Sequence, residues 1–187
     1  LVGVNVARQV PRPAAPEARN REVSAHDAQA ILEQAREHRY EVAAWLAFGC
    51  GLRRGEVLAL RWSEVDLKAG TLTVSGNVTR SSAGLQRGAT KTRRGRRNVP
   101  VPPVVVQALK AHKKRQSAEQ LAAGSAWEPT GLIVTTELGG LVEPRTLSRV
   151  WQRWAKDAGV ADTGTHTGRH YAASTLLSQL EAEASEQ

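Results

Sequence analysis

Two short boxes, far apart in the chain, hold residue types that could act on a phosphate. They are Gly51-Leu52-Arg53-Arg54-Gly55-Glu56 and His166-Thr167-Gly168-Arg169-His170. A guanidinium is planar, permanently charged and carries its N–H donors in a fork that matches phosphate oxygens. Arg53 and Arg169, converging from distant boxes, would clamp a phosphodiester. If a helix begins close to His166, then His166 and Arg169 share one face at i and i+3. That places a proton carrier beside a fixed charge, as phosphoryl transfer requires. Glu56 stands three residues after Arg53 and would orient it through a helical ion pair. The same spacing also describes an ordinary surface pair that contributes little. A cation at a helix N-terminus opposes the helix dipole, so a function should compensate for Arg53.

Between the boxes lies a basic run, Arg87-Gly88-Ala89-Thr90-Lys91-Thr92-Arg93-Arg94-Gly95-Arg96-Arg97. Six of these eleven residues are cationic and none is acidic. Two readings stay open for it: a solvated charge run, or a flexible finger between strands that enters a nucleic-acid groove. Lys91 differs from its arginine neighbours because burial or a nearby cation can lower its pKa enough for proton donation. Arg54, Arg87, Arg93, Arg94 and Arg96 are the candidate DNA contacts.

The whole chain agrees with a polyanionic partner: 187 residues carry a formal net charge of +8. Nucleic acid is the first candidate and an anionic membrane surface the rival. No apolar stretch is long enough to span a bilayer, and no signal segment opens the chain. The single cysteine, Cys50, excludes an internal disulfide and fits a reducing, cytoplasmic setting. Flanked by Gly49 and Gly51 after an apolar segment, it reads as a buried structural thiol. The five histidines do not cluster with carboxylates at ligand spacing. His166 and His170 lack the intervening glutamate of a zinc protease motif, and neither a phosphate loop nor a serine-hydrolase elbow is present. No metal and no cofactor are expected.

The elements that must position these boxes follow from periodicity. Residues 1–21 are rich in proline, alanine and arginine and read as an inter-domain linker. Ser24, with Asp27 three residues on, predicts a capped helix whose buried stripe is Ala28, Ile31, Leu32 and Ala35. A nearly all-apolar second helix runs from about Tyr40 to Phe48 and ends at Gly49 and Gly51. The first box opens a third, with Val57, Leu58 and Leu60 inward. Short strands are predicted at Val65-Asp66-Leu67, Thr71-Leu72-Thr73-Val74 and Arg97-Asn98-Val99-Pro100-Val101, with Ser75 to Arg96 as a long polar connection. Pro102-Pro103 launches a long helix to about Ala123. Leu132-Ile133-Val134 is a short apolar segment before a Gly139-Gly140 turn. An amphipathic helix spans Pro144 to Ala158 with Leu147, Val150, Trp151 and Trp154 on its apolar side. A last helix begins near the second box and carries Ala172, Ala173, Leu176, Leu177 and Leu180. The chain is therefore expected to be α+β and mostly helical, with a small three-stranded antiparallel sheet.

Together the boxes resemble the catalytic domain of the tyrosine recombinases, the phage-integrase family, from about Ser24 to Gln179. Gly51 through Asp66 is similar to that family's first arginine box. Thr90-Lys91-Thr92-Arg93-Arg94 resembles its lysine-bearing β-hairpin, with Arg97 to Pro102 as the return strand. His166-x-x-Arg169-His170 is similar to the second arginine box. The resemblance implies that Arg53 and Arg169 hold the non-bridging oxygens of the scissile phosphate. It also implies that Lys91 protonates the leaving 5′-oxygen, that His166 assists proton transfer at the nucleophile, and that Glu56 and His170 support the site. In this family a tyrosine attacks the phosphate, and the covalent link conserves the bond energy without metal or nucleotide.

Departures from the pattern set further expectations. Gly168 stands where the family usually has leucine, which loosens the helix start. The downstream histidine-or-tryptophan box and the nucleophilic tyrosine are missing, and a polar tail follows. Tyr171 lies two residues from Arg169, about 200° round a helix, and Tyr40 precedes the first box in a core-like segment. Both read as structural, so no nucleophile is assigned. Residues 22–187 are expected to form an integrase-like catalytic domain that lacks its tyrosine segment. The chain also lacks methionine and reads as a piece of something longer. As such it would bind double-stranded DNA as a monomer without completing strand exchange, while the full-length bacterial or phage-encoded protein would assemble as a tetramer on recombination sites. Two alternatives remain: an inactive integrase relic that binds or regulates DNA, and an unrelated basic nucleic-acid-binding module.

Overall fold

A computed structural model describes residues 23–82, 84–89, 96–160, 164 and 171–172. The linker expected over residues 1–21 and most of the last helix lie outside them. Helix α1, Ala25–Ala35, begins where Ser24 predicts. The Asp27 N–H donates to Ser24 Oγ at 3.1 Å, and the Ser24 N–H donates to Asp27 Oδ2 at 3.2 Å. This reciprocal box satisfies two N–H groups that a helix start leaves orphaned. Helix α2, Glu41–Cys50, is buried through most of its length, and Gly51 closes it in the left-handed region at φ 62°. Gly49 does not end the helix as expected. It remains inside α2, and a Cβ there would run into the Val105 side chain, so its smallness serves helix packing.

Helix α3, Arg54–Ala59, is short, with Arg53 as its N-cap. Val57, Leu58 and Leu60 are buried as expected, Leu60 just beyond the helix end. Strands β1, Val65–Asp66, and β2, Thr71–Val74, follow. The expected polar connection from Ser75 to Arg96 needs correction. It contains β3, Gly76–Ser81, and β4, Gly84–Ala89, which pair antiparallel as a separate two-stranded sheet. Only the β3 end of this hairpin is buried, at Gly76 and Val78, which is why alternation gave no signal. Strand β5, Arg97–Pro100, then returns beside β2. The three-stranded sheet has the order β1-β2-β5, all antiparallel, with Leu72 opposite Val65 and Val99.

Helix α4, Pro103–Ala123, and helix α5, Pro144–Asp157, complete the described fold. Each opens on proline, whose missing N–H costs nothing in a first turn. Between them Ile133 is fully buried, and its N–H donates to Leu60 O at 2.9 Å. Helix α2 packs against α1, α3 and α4, while α5 packs on α1 and α3. Leu147, Trp151 and Trp154 of α5 are buried as expected, with Val150 at the edge of the core. The molecule is α+β and mostly helical, with a small three-stranded sheet, as expected, plus the added hairpin.

Candidate nucleic-acid interface

The first box is built around one buried carboxylate. Glu56 is 6% exposed and occupies the third position of α3. Its Oε2 accepts the Arg53 backbone N–H at 2.9 Å, so the side chain caps its own helix. Its Oε1 accepts Arg53 Nη1 at 3.0 Å. Arg97, at the head of β5, forks onto the same carboxylate, with Nη1 2.9 Å from Oε1 and Nη2 2.9 Å from Oε2. Burial alone would raise the Glu56 pKa. The Arg97 and Arg53 hydrogen bonds, with the charge of Arg97, outweigh that and hold it below the usual carboxylate value. Glu56 therefore stays ionised between two guanidinium groups, and the trio keeps a net positive charge.

Arg53 is the exposed member of this trio, its side chain 54% accessible. Its only side-chain partner among the described residues is Glu56, which leaves most of its N–H donors facing outward. It opens onto a cleft of about 530 Å³ between α3, β3 and the start of α5, lined by Arg54, Asn77, Arg80, Arg145 and Ser148. Arg54 Nη1 donates to Ser148 Oγ at 2.5 Å, tying α3 to α5 across the floor. Arg80 meets Glu143 at 2.7 Å on the rim. Four arginines against one rim carboxylate make a surface suited to a phosphate backbone.

Gly55 explains how hairpin and helix come so close. A Cβ at this position would overlap the Asn77 side chain and meet Val78 O at 3.0 Å. The glycine between the box's arginine and glutamate is thus what seats β3 against α3.

Arg87, expected among the DNA contacts, is instead turned inward. Its Nε donates to Ala59 O at 2.7 Å, and its Nη2 donates to Glu64 Oε1 at 2.8 Å and to Ser75 Oγ at 3.2 Å. Only 18% of its side chain is accessible, and it ties the hairpin to the end of α3. Arg96 is exposed at the foot of β5. Lys91, Arg93, Arg94, His166, Arg169 and His170 lie outside the described residues. Sequence reasoning did not single out Arg97, Arg80, Arg145, Asn77 or Ser148. For Arg97 a signal existed: strand alternation puts it on the face of Val99, which packs on the core. For the others, nothing local marks a residue that a distant loop brings to a cleft.

Tyr40, Tyr171 and Cys50 pack against the core. Tyr40 is buried, and burial raises its hydroxyl pKa. Tyr171 is half-buried and stands edge-on to Phe48, ring centres 5.8 Å apart. Burial pushes the Cys50 thiol up to about 12, which makes it a structural thiol. Among the described residues no three histidine, cysteine or carboxylate side chains gather as a metal site, and no helix is long and apolar enough to cross a membrane.

A model described as "Phage integrase family" matches residues 21–181. A "Tyrosine recombinase XerC-like" protein of Caldanaerobacter subterraneus subsp. tengcongensis is 32% identical over 159 residues, covering 79% of this chain and 41% of the relative. An integrase of Streptomyces ambofaciens is 32% identical over 141 residues, covering 71% of this chain and 34% of the relative. Of solved structures, XerA recombinase is similar with a TM-score of 0.66 at 22% identity, over 89% of this chain and 53% of the other. The Tn1549 transposon integrase in complex with transposon right end DNA gives 0.71 at 17% identity, over 93% and 57%. At such identities the structures bear on the fold alone. The chain spans less than half the length of the two sequence relatives.

Proposed function

The chain belongs to the phage integrase family, the tyrosine recombinases, and on that premise we propose that it is the DNA-embracing catalytic part of a site-specific recombinase. The substrate is duplex DNA, and the reaction is strand cleavage and rejoining through a phosphotyrosyl link. The observation that carries this reading is the half-exposed Arg53, fixed by buried Glu56 and opening onto an arginine-lined cleft. In this role Arg53 and Arg169 hold the non-bridging oxygens of the scissile phosphate and stabilise the charge that develops there. Lys91 gives a proton to the leaving 5′-oxygen, His166 serves proton transfer at the nucleophile, and Glu56 and His170 hold the site. Arg54 and Arg96, with Arg93 and Arg94, contact flanking DNA; Arg87 holds the hairpin. The arginines supply the charge stabilisation, so the reading requires no cofactor. In the full-length protein four such domains act together on paired recombination sites.

A second reading has its own support. Both tyrosines of the chain pack against the core, which favours residues that bind DNA without supplying the attacking group. Residues 1–187 then form a DNA-binding unit that completes no strand exchange alone. A nicked suicide duplex carrying the recombination site tests both the clamp and the assignment of Tyr171. The full-length recombinase should form a covalent adduct, lose it on Arg53→Ala or Arg169→Ala, and keep it on Tyr171→Phe. Adduct formation that survives both arginine substitutions would refute the phosphate clamp, and an adduct mapped to Tyr171 would refute its structural assignment.

A further inference from the structure

Arg97 commits both Nη groups to Glu56 and has no part in the roles above. We infer that Arg97 is a positioning residue for Arg53, acting through Glu56; the inference rests on the reading of Arg53 as a phosphate ligand. A carboxylate offers about four lone-pair sites. At Glu56 two go to the Arg97 fork, one to the Arg53 backbone N–H and one to Arg53 Nη1. Arg53 is thereby held by one side-chain bond rather than two. Its remaining donors and its charge are left for a phosphate.

Without Arg97 the balance changes. Glu56 would be free to swing both oxygens onto Arg53 in the bidentate geometry that arginine and carboxylate prefer. That would neutralise Arg53 and turn its fork inward. Lysine cannot stand in for Arg97, because an ammonium occupies one oxygen and leaves the other uncommitted. Arg97 also heads β5, so one side chain ties the start of that strand to the N-terminus of α3 through Glu56.

A double-mutant cycle tests this on the folded chain, with a fluorescein-labelled duplex as the probe and side-chain NMR of ¹⁵N-arginine as a DNA-free readout. Arg53→Ala should weaken duplex binding about tenfold, the loss of a charge-assisted contact. Arg97→Lys, which keeps the net charge, should weaken it about fivefold alone and leave it unchanged in the Arg53→Ala background, because coupled residues are non-additive. Without DNA, Arg97→Lys should shift the Arg53 Nε–Hε resonance, identified by its loss in Arg53→Ala. Wild-type affinity in Arg97→Lys, the same loss in both backgrounds, or an unmoved Arg53 resonance would each overturn the inference. A shifted Arg53 resonance with no effect of Arg53→Ala on binding would instead uphold the positioning and remove the phosphate role. Thermal unfolding of each variant confirms that the chain is folded before it is scored.

Discussion

Buried charge is costly unless every lone pair is met, and the buried Glu56 and His112 meet that demand in opposite ways. Glu56 keeps its charge and recruits two arginines. His112 gives its charge up. It is 8% exposed, its Nε2 lies 2.7 Å from Ile133 O, and its Nδ1 lies 2.8 Å from Arg115 Nη2. A guanidinium has only donors, so Nδ1 must accept and the ring is neutral. Burial and the neighbouring Arg115 lower its pKa from 6.5 to about 4. The unfolded chain thus binds this proton first as pH falls. Its contribution is complete above about pH 6.5 and is lost as the pH drops toward 4, on the order of 3 kcal/mol in all. Urea unfolding should show a decline in stability over this window that His112→Gln flattens. An unchanged slope in that variant would mean that His112 is not the group responsible.

At the scale of elements, the hairpin matters more than its sequence announces. Strand β3 sits against α3 because Gly55 has no Cβ to meet Asn77 and Val78. Gly55→Ala should destabilise the fold by about 1–3 kcal/mol through overpacking. Asn77→Ala should recover part of that loss, since it removes the softer of the two obstacles; a neutral Gly55→Ala would show that the hairpin is not seated there. The helices and the three-stranded sheet were legible in the sequence because each has a local mark. Ser24 and Asp27 form a cap, prolines open α4 and α5, and Leu72 and Val74 alternate inward. The hairpin was not, because β4 reads Gly-Leu-Gln-Arg-Gly-Ala and buries no side chain fully. In the candidate site the Arg53–Glu56 ion pair was legible from its i, i+3 spacing. Arg87 misled, since composition reports charge but not whether a carboxylate such as Glu64 already holds it.

Over the whole molecule, the formal charge of +8 is a net figure in which each arginine–glutamate pair already cancels. Arg39, Arg87 and Arg97 are drawn into contacts with Glu119, Glu64 and Glu56 and are largely covered. Arg53, Arg54 and Arg145, by contrast, line one cleft beside α3. Binding to duplex DNA should accordingly weaken steeply with salt, as cations on the protein displace condensed counterions. The most direct measurement is duplex affinity for the wild-type chain and Arg53→Ala across about 50 to 200 mM salt, plotted as log K against log salt. If Arg53 grips a phosphate, its removal should weaken binding and make the slope shallower by about 0.9, the loss of one contact. A parallel line, with the same slope for both proteins, would contradict the phosphate clamp.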